Sequence, residues 1–103
     1  MIVAYSYVDA TTDEAATAFE EALSTRGRAV ERFPGFVRFE FRRDLRRRNR
    51  YVIATWWNDR DDLRVYLASE EHRRTHERLS PEHQRALGPA HVEIHEIVEA
   101  SPA

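Results

Sequence analysis

Between Trp56 and His76 the sequence WWNDRDDLRVYLASEEHRRTH collects the side chains best suited to move a proton or hold a flat ligand. His72 and His76 stand four residues apart, a spacing that puts both on one face of a helix. An imidazole titrates near neutral pH, so His76 can act as a general base toward a phenolic proton. Tyr66, earlier in the same stretch, offers a phenol for the same traffic. The histidine pair can also ligate a metal, but a metal site needs a third and a fourth donor of fitting type. His83, His91 and His95 supply donors in composition only, and an arginine-rich helix carries a histidine pair without any metal, so no metal site is assigned. The plainer role for His76 is a half-buried imidazole bonded to a backbone carbonyl.

A slot for a flat ligand needs apolar walls with a few polar handles. Tyr5, Tyr7, Tyr51 and Tyr66, with Trp56, Trp57, Phe36, Phe39 and Phe41, can build one. The same rings can fill a core, the reading that suits the phenylalanines. Adjacent Trp56 and Trp57 must face opposite sides of a strand, so only one can line a given pocket. Such a slot can do chemistry without a cofactor. Ground-state dioxygen reacts poorly with closed-shell molecules but accepts an electron from a phenolate or enolate. The protein has only to take the proton, hold the anion and keep water out. His76 or Tyr66 can handle the proton, and an arginine the anion.

Composition excludes several other chemistries. There is no cysteine, which removes disulfides, thiolate metal sites and cysteine nucleophiles. Three glycines leave no phosphate-cradling loop, and neither a dinucleotide fingerprint nor a nucleophile elbow is present. All 16 basic residues are arginine, but 18 acids offset them and no aromatics interleave with the Arg46 to Arg50 cluster. That cluster reads as a solvated hairpin, and no nucleic-acid partner is expected. No apolar run reaches the roughly 18 to 20 residues of a membrane span. The opening MIVAYSYVDA reads as a strand rather than a signal peptide, so a soluble, cytoplasmic protein with no membrane partner is expected.

The elements that must position these side chains follow from periodicity. Ile2 to Val8 reads as a central strand, with Ile2, Ala4, Ser6 and Val8 on one face and Val3, Tyr5 and Tyr7 on the other. Thr11 to Glu14 spells a capping box for a helix with Ala15, Ala18, Phe19, Ala22, Leu23 and later Val30 inward, loosened at Gly27 and ended by Pro34-Gly35. Glu20, Glu21 and Arg28 form its wet face. Phe36 to Arg43 alternates as a half-buried strand, Val37, Phe39 and Phe41 opposite Arg38, Glu40 and Arg42, and Tyr51 to Trp57 reads as a third strand. Asn58 or Asp59 caps a helix with Leu63, Tyr66 and Leu67 inward. Ser69 caps a second, Glu70 to Leu79, whose inward stripe holds His72, His76 and Leu79. Ser80-Pro81 opens a last helical turn, Gly88-Pro89 stops it, and His91 to Glu99 forms a fourth strand in which Ile97 and Val98 mark a bulge or an edge exchanged with a partner. The order is that of a ferredoxin-like βαββαβ fold, an antiparallel four-stranded α+β sheet in one domain spanning residues 1–103. Helices on one face leave the other in need of cover, which a homodimer supplies.

Three segments in this order resemble the antibiotic biosynthesis monooxygenase superfamily over nearly the whole chain. They are Arg32-Phe33-Pro34-Gly35-Phe36, Ala54-Thr55-Trp56-Trp57 and Leu67-Ala68-Ser69-Glu70-Glu71-His72. The resemblance implies a dimeric α+β barrel and one of two chemistries. One branch oxidises aromatic, often polyketide-derived, substrates with dioxygen and without metal or flavin. The other binds and degrades haem with an axial histidine, a tryptophan and an asparagine. By that resemblance the axial histidine falls at His76, within Arg74-Thr75-His76, and the tryptophan falls on Tyr66. The asparagine has no counterpart, because Tyr5, Ser6 and Tyr7 occupy its region. Slot and resemblance together put forward His76, Tyr66 and Trp57 as the catalytic set. The expected protein is a homodimeric, cofactor-independent monooxygenase that uses dioxygen on a small aromatic or polyketide-like substrate. The alternative is a haem-binding or haem-degrading protein with His76 as axial ligand.

Overall fold

A computed structural model describes residues 1–24, 29–76 and 79–102, apart from the side chains of Thr75 and His76. The predicted Gly27 and Arg28 of the first helix lie outside the described residues. Four strands, β1 (Ile2–Asp9), β2 (Phe36–Arg43), β3 (Arg50–Trp57) and β4 (His91–Glu96), form one antiparallel sheet in the order β2-β3-β1-β4. Helices α1 (Asp13–Ser24), α2 (Arg60–Leu67), α3 (Glu70–His76) and α4 (Pro81–Leu87) complete the ferredoxin-like α+β arrangement. No described helix is long and apolar enough to cross a membrane.

β1 is central because both of its faces are apolar, and Ile2 and Val3, which point opposite ways, are both buried. The register pairs Ile2 with Trp57, Ala4 with Thr55, Ser6 with Ile53 and Val8 with Tyr51, so these residues share the helix-covered face. Two apolar clusters form beneath the helices. One joins Val8, Phe19, Leu23 and Tyr51, the other Ile2, Val30, Trp57, Leu63 and Tyr66. Burying each large side chain contributes roughly 1.5–3 kcal/mol, well above the roughly 0–1 kcal/mol of an exposed ion pair. The clusters therefore position the helices, and the surface arginines trim that placement.

Several boundaries differ from the sequence reading for local reasons. Thr12, not Thr11, caps α1, accepting the Ala15 N–H at 3.1 Å, while the Thr11 N–H is taken by the Ala86 carbonyl at 2.8 Å. Glu14 consequently lies against His83 at 3.3 Å instead of closing a capping box. Val30 sits on a separate 3-10 turn, Ala29–Arg32. Asp59 is the cap of α2, taking the Asp62 N–H at 2.9 Å. β4 stops at Glu96, although the Ile97 N–H still reaches the Met1 carbonyl at 2.9 Å, and Val98 is exposed. The bulge lies elsewhere. The β2–β3 register slips between Phe36 and Arg38, leaving Val37 exposed and turning Phe36 inward against Trp57.

Gly35 makes that slip possible. Its φ is +82°, and its carbonyl accepts the Asn58 N–H at 2.8 Å, so the entry to β2 is tied to the exit of β3. A Cβ there would stand 2.0 Å from Asp62 Oδ2. The Asp62 carboxyl is pushed upward by burial and by neighbouring Asp59. At the other end of the β2–β3 hairpin, Asp44 Oδ1 accepts the N–H groups of Arg46 and Arg47, and Asn49 turns with φ 63°. Arg48 and Asn49 both reach Asp13 at the start of α1.

Candidate functional site

A cavity of about 470 Å³ separates the two apolar clusters. β1 and β3 supply its floor through Ala4, Ser6, Ile53 and Thr55, while α1 and α2 contribute Phe19, Leu23, Leu63 and Tyr66. His72 of α3, Gln84 of α4 and Val92 of β4 complete the polar and outer parts of the wall. Among the described lining residues none is an aspartate, glutamate or arginine. Desolvation is therefore set by apolar walls, and specificity by a few neutral handles.

The principal handles are Tyr66 and His72. Tyr66 faces inward because α2 places Leu63 and Tyr66 three residues apart on its buried side. Its ring stacks on Trp57 at 5.3 Å and 27°, meets Phe33 edge-on at 5.0 Å, and meets the His72 ring edge-on at 5.1 Å. One serine fixes the two helices that carry the pair. Ser69 Oγ donates to the Tyr66 carbonyl at 2.6 Å and accepts the His72 N–H at 3.1 Å, ending α2 and capping α3 with a single hydroxyl. A shallower depression of about 340 Å³, lined by Leu67, Ser69, Glu70 and Arg73, shares His72 with the main cavity. His72 thus stands between the enclosed space and the outer surface.

The other candidates separate. Trp57 is fully buried, wedged between Phe36 and Tyr66, and its indole Nε1 donates to Thr55 Oγ1 at 2.9 Å. It backs Tyr66 and does not itself line the cavity. His76 is the last residue of α3, and its side chain lies outside the described residues. Tyr5, Tyr7 and Trp56 occupy the opposite sheet face, where Arg38 and Arg42 lie over the Trp56 ring at 5.8 and 5.9 Å. His91 and His95 are also on that face, flanking Glu93 at 2.9 and 3.2 Å, and His91 first, then His95, holds the Glu93 carboxyl below its ordinary range. No group of three or more metal-binding side chains forms among the described residues. Sequence reasoning passed over Thr55 and Ser6 as cavity handles, although the Thr-x-Trp alternation already put Thr55 on the face of Trp57.

A haem group would need an axial donor and partners for its two carboxylates. Among the described lining residues His72 is an imidazole that could serve as such a donor, and no cation is present.

The model of the antibiotic biosynthesis monooxygenase family matches residues 1–78. No curated protein sequence gives a significant match. Solved structures do. SnoaB, a cofactor-independent oxygenase from Streptomyces nogalater, is 22% identical and has a TM-score of 0.76, with 99% of this chain and 97% of that chain covered. The heme-degrader MhuD from Mycobacterium tuberculosis is 19% identical with a TM-score of 0.77 over 97% and 98% of the two chains. A Deinococcus radiodurans protein assigned to the antibiotic biosynthesis monooxygenases reaches a TM-score of 0.81 at 17% identity, over 97% and 95%. At these identities the likeness is one of fold.

Proposed function

As the chain belongs to the antibiotic biosynthesis monooxygenase family, we propose that it is a cofactor-independent monooxygenase acting with dioxygen on a small aromatic or polyketide-like substrate. The observation that carries this reading is the Tyr66–His72 contact at the wall of a mostly apolar cavity. An activated methylene beside an electron-rich ring loses a proton to the imidazole of His72, with the phenol of Tyr66 donating to the substrate. The carbanion passes one electron to dioxygen, and the radical pair joins as a hydroperoxide. Loss of water then leaves a carbonyl. Methylene and dioxygen give carbonyl and water, so the substrate supplies both electrons and no cofactor is consumed. Water exclusion by Leu63, Ile53 and Phe19 keeps the anion reactive. His76, one helical turn beyond His72, belongs to the same proposed proton path, and Trp57 holds the Tyr66 ring from behind.

The working unit in this proposal is a homodimer closed over the helix-free sheet face. Tyr5, Tyr7 and Trp56 give that face an aromatic centre, and Arg38–Glu40–Arg42 on one edge and His91–Glu93–His95 on the other give it charges of both signs. A second copy of the same face is complementary to it.

Oxygen uptake by metal-free protein tests the reading with a panel of anthrones and hydroxynaphthalenes. Turnover is expected, with Tyr66→Phe and His72→Gln each lowering kcat by roughly 10²-fold or more, the usual share of positioned proton transfer. No uptake across the panel, or uptake that appears only after haemin is added, overturns it.

A further inference from the structure

We propose that Thr55 is the hydrogen-bond donor that holds the reacting oxygen of the substrate, and that Trp57 is the positioning residue that makes it one. This rests on the oxygenase reading above. A tryptophan Nε1–H can only donate, and Trp57, fully buried between Phe36 and Tyr66, has its ring locked in place. It donates to Thr55 Oγ1 at 2.9 Å in a buried bond. A hydroxyl that already accepts keeps one proton to give. Among the described residues no acceptor takes that proton, although Thr55 is only 8% exposed and lies in the cavity floor.

A buried donor without an acceptor is unfavourable, so an oxygen in the cavity would be drawn to it. Accepting the indole N–H also polarises the threonine O–H outward, which strengthens it as a donor. Ser6 adds to the arrangement. The register pairs Ala4 with Thr55 and Ser6 with Ile53, which makes Ser6 and Thr55 diagonal neighbours on the same face, roughly 7 Å apart. The floor therefore presents two hydroxyls to one edge of a ligand, while Tyr66 and His72 act from the helix side. An aromatic ring with an oxygen on the floor edge fits this arrangement, and negative charge growing on that oxygen is what Thr55 would hold.

1-Naphthol serves as the probe, because its phenolate absorbs apart from the phenol. Anaerobic absorbance titration of naphthol bound to the wild type is expected to give a phenol pKa below that of free naphthol. Thr55→Val should raise the bound pKa by about one unit, equivalent to roughly tenfold weaker phenolate binding, as loss of a hydrogen bond to a charged oxygen implies. Thr55→Ser should retain the wild-type value, and Trp57→Phe should fall between the two. If Thr55→Val does not fold, judged by near-ultraviolet circular dichroism, Thr55→Ala replaces it. Equal pKa values in wild type and the hydroxyl-free variant overturn the role of Thr55 while leaving the oxygenase reading standing. Failure of the wild type to bind naphthol in either form overturns both.

Discussion

Tyr66 and His72 belong to different helices, yet a single hydroxyl sets the distance between them. Ser69 both donates to the carbonyl of Tyr66 and accepts the amide of His72. Ser69→Ala removes both bonds without touching the cavity's apolar wall. The cap alone is worth about 1 kcal/mol, too little to unfold the chain, but the pair would lose its fixed geometry. Turnover should fall roughly tenfold or more, as misplacement of reacting groups by a fraction of an ångström implies, with KM changing much less. Parallel losses in kcat and thermal stability for unrelated surface serines such as Ser24 would refute a specific role. At this scale the sequence was only partly legible. His72 entered only as the helix-face partner of His76, the histidine put forward for the proton, and Tyr66 through its place on an apolar stripe. Thr55 did not, because a threonine in a β-branched strand looks like any strand residue until its partner's direction is known.

Gly35 and Asp13 show how the elements are held around the site. At Gly35, positive φ and a Cβ position 2.0 Å from Asp62 Oδ2 act together. Gly35→Ala should cost about 1–3 kcal/mol from backbone strain alone, and more from the overlap. Asp62→Ala in the same chain should recover the second part and not the first, a split that chemical denaturation of the single and double variants can read. At the opposite end of the β2–β3 hairpin, hydrogen bonds from Arg48, then Asn49, pull the Asp13 carboxyl from 3.8 to about 2. Because the folded value lies below the free one, the contribution is present above the free value and fades as pH falls toward about 2. Asp13→Asn should therefore lower Tm at pH 6, with the gap closing between about pH 4 and 2. A gap independent of pH in a melting series would show that the ion pair does not dock the hairpin. The strands and most helices were legible from alternation and capping residues. The bulge was not, since Val37 continues the apolar alternation and only the left-handed Gly35 forces the slip. The end of β4 was misplaced for a related reason: Ile97 and Val98 have strand propensity, but the pairing with β1 runs out at Ile2.

The whole molecule is organised around a sheet with unequal faces. One carries the helices and the cavity. The other carries the half-buried Tyr5, Tyr7 and Trp56 between charged edges, with Val3 and Ala54 buried on the same face. The sequence indicated that this face needs cover, because β1 is apolar on both sides, but alternation alone could not tell which tryptophan belonged to it. Four strands of up to eight residues present a plane of roughly 500 Å² at ordinary strand spacings, in the range from which stable interfaces of about 800 Å² accessible surface per partner are built. Desolvating arginines in such an interface is costly unless they are already paired. Arg38 and Arg42 are paired, both on Glu40, at 2.6 and 2.8 Å, and Arg38 first, then Arg42, holds the Glu40 carboxyl below its ordinary range. An acid in place of the central Trp56 ring, over which Arg38 and Arg42 lie, removes the apolar centre of the face and brings two like charges into a symmetric interface. Trp56→Glu should convert a dimer to a monomer at micromolar concentration by sedimentation, while far-ultraviolet circular dichroism stays unchanged. Arg48→Glu, on the hairpin away from this face, should leave the dimer intact. A wild-type protein that sediments as a monomer under the same conditions would remove the dimer proposal, and the aromatic face would then have to be explained as solvent-exposed surface.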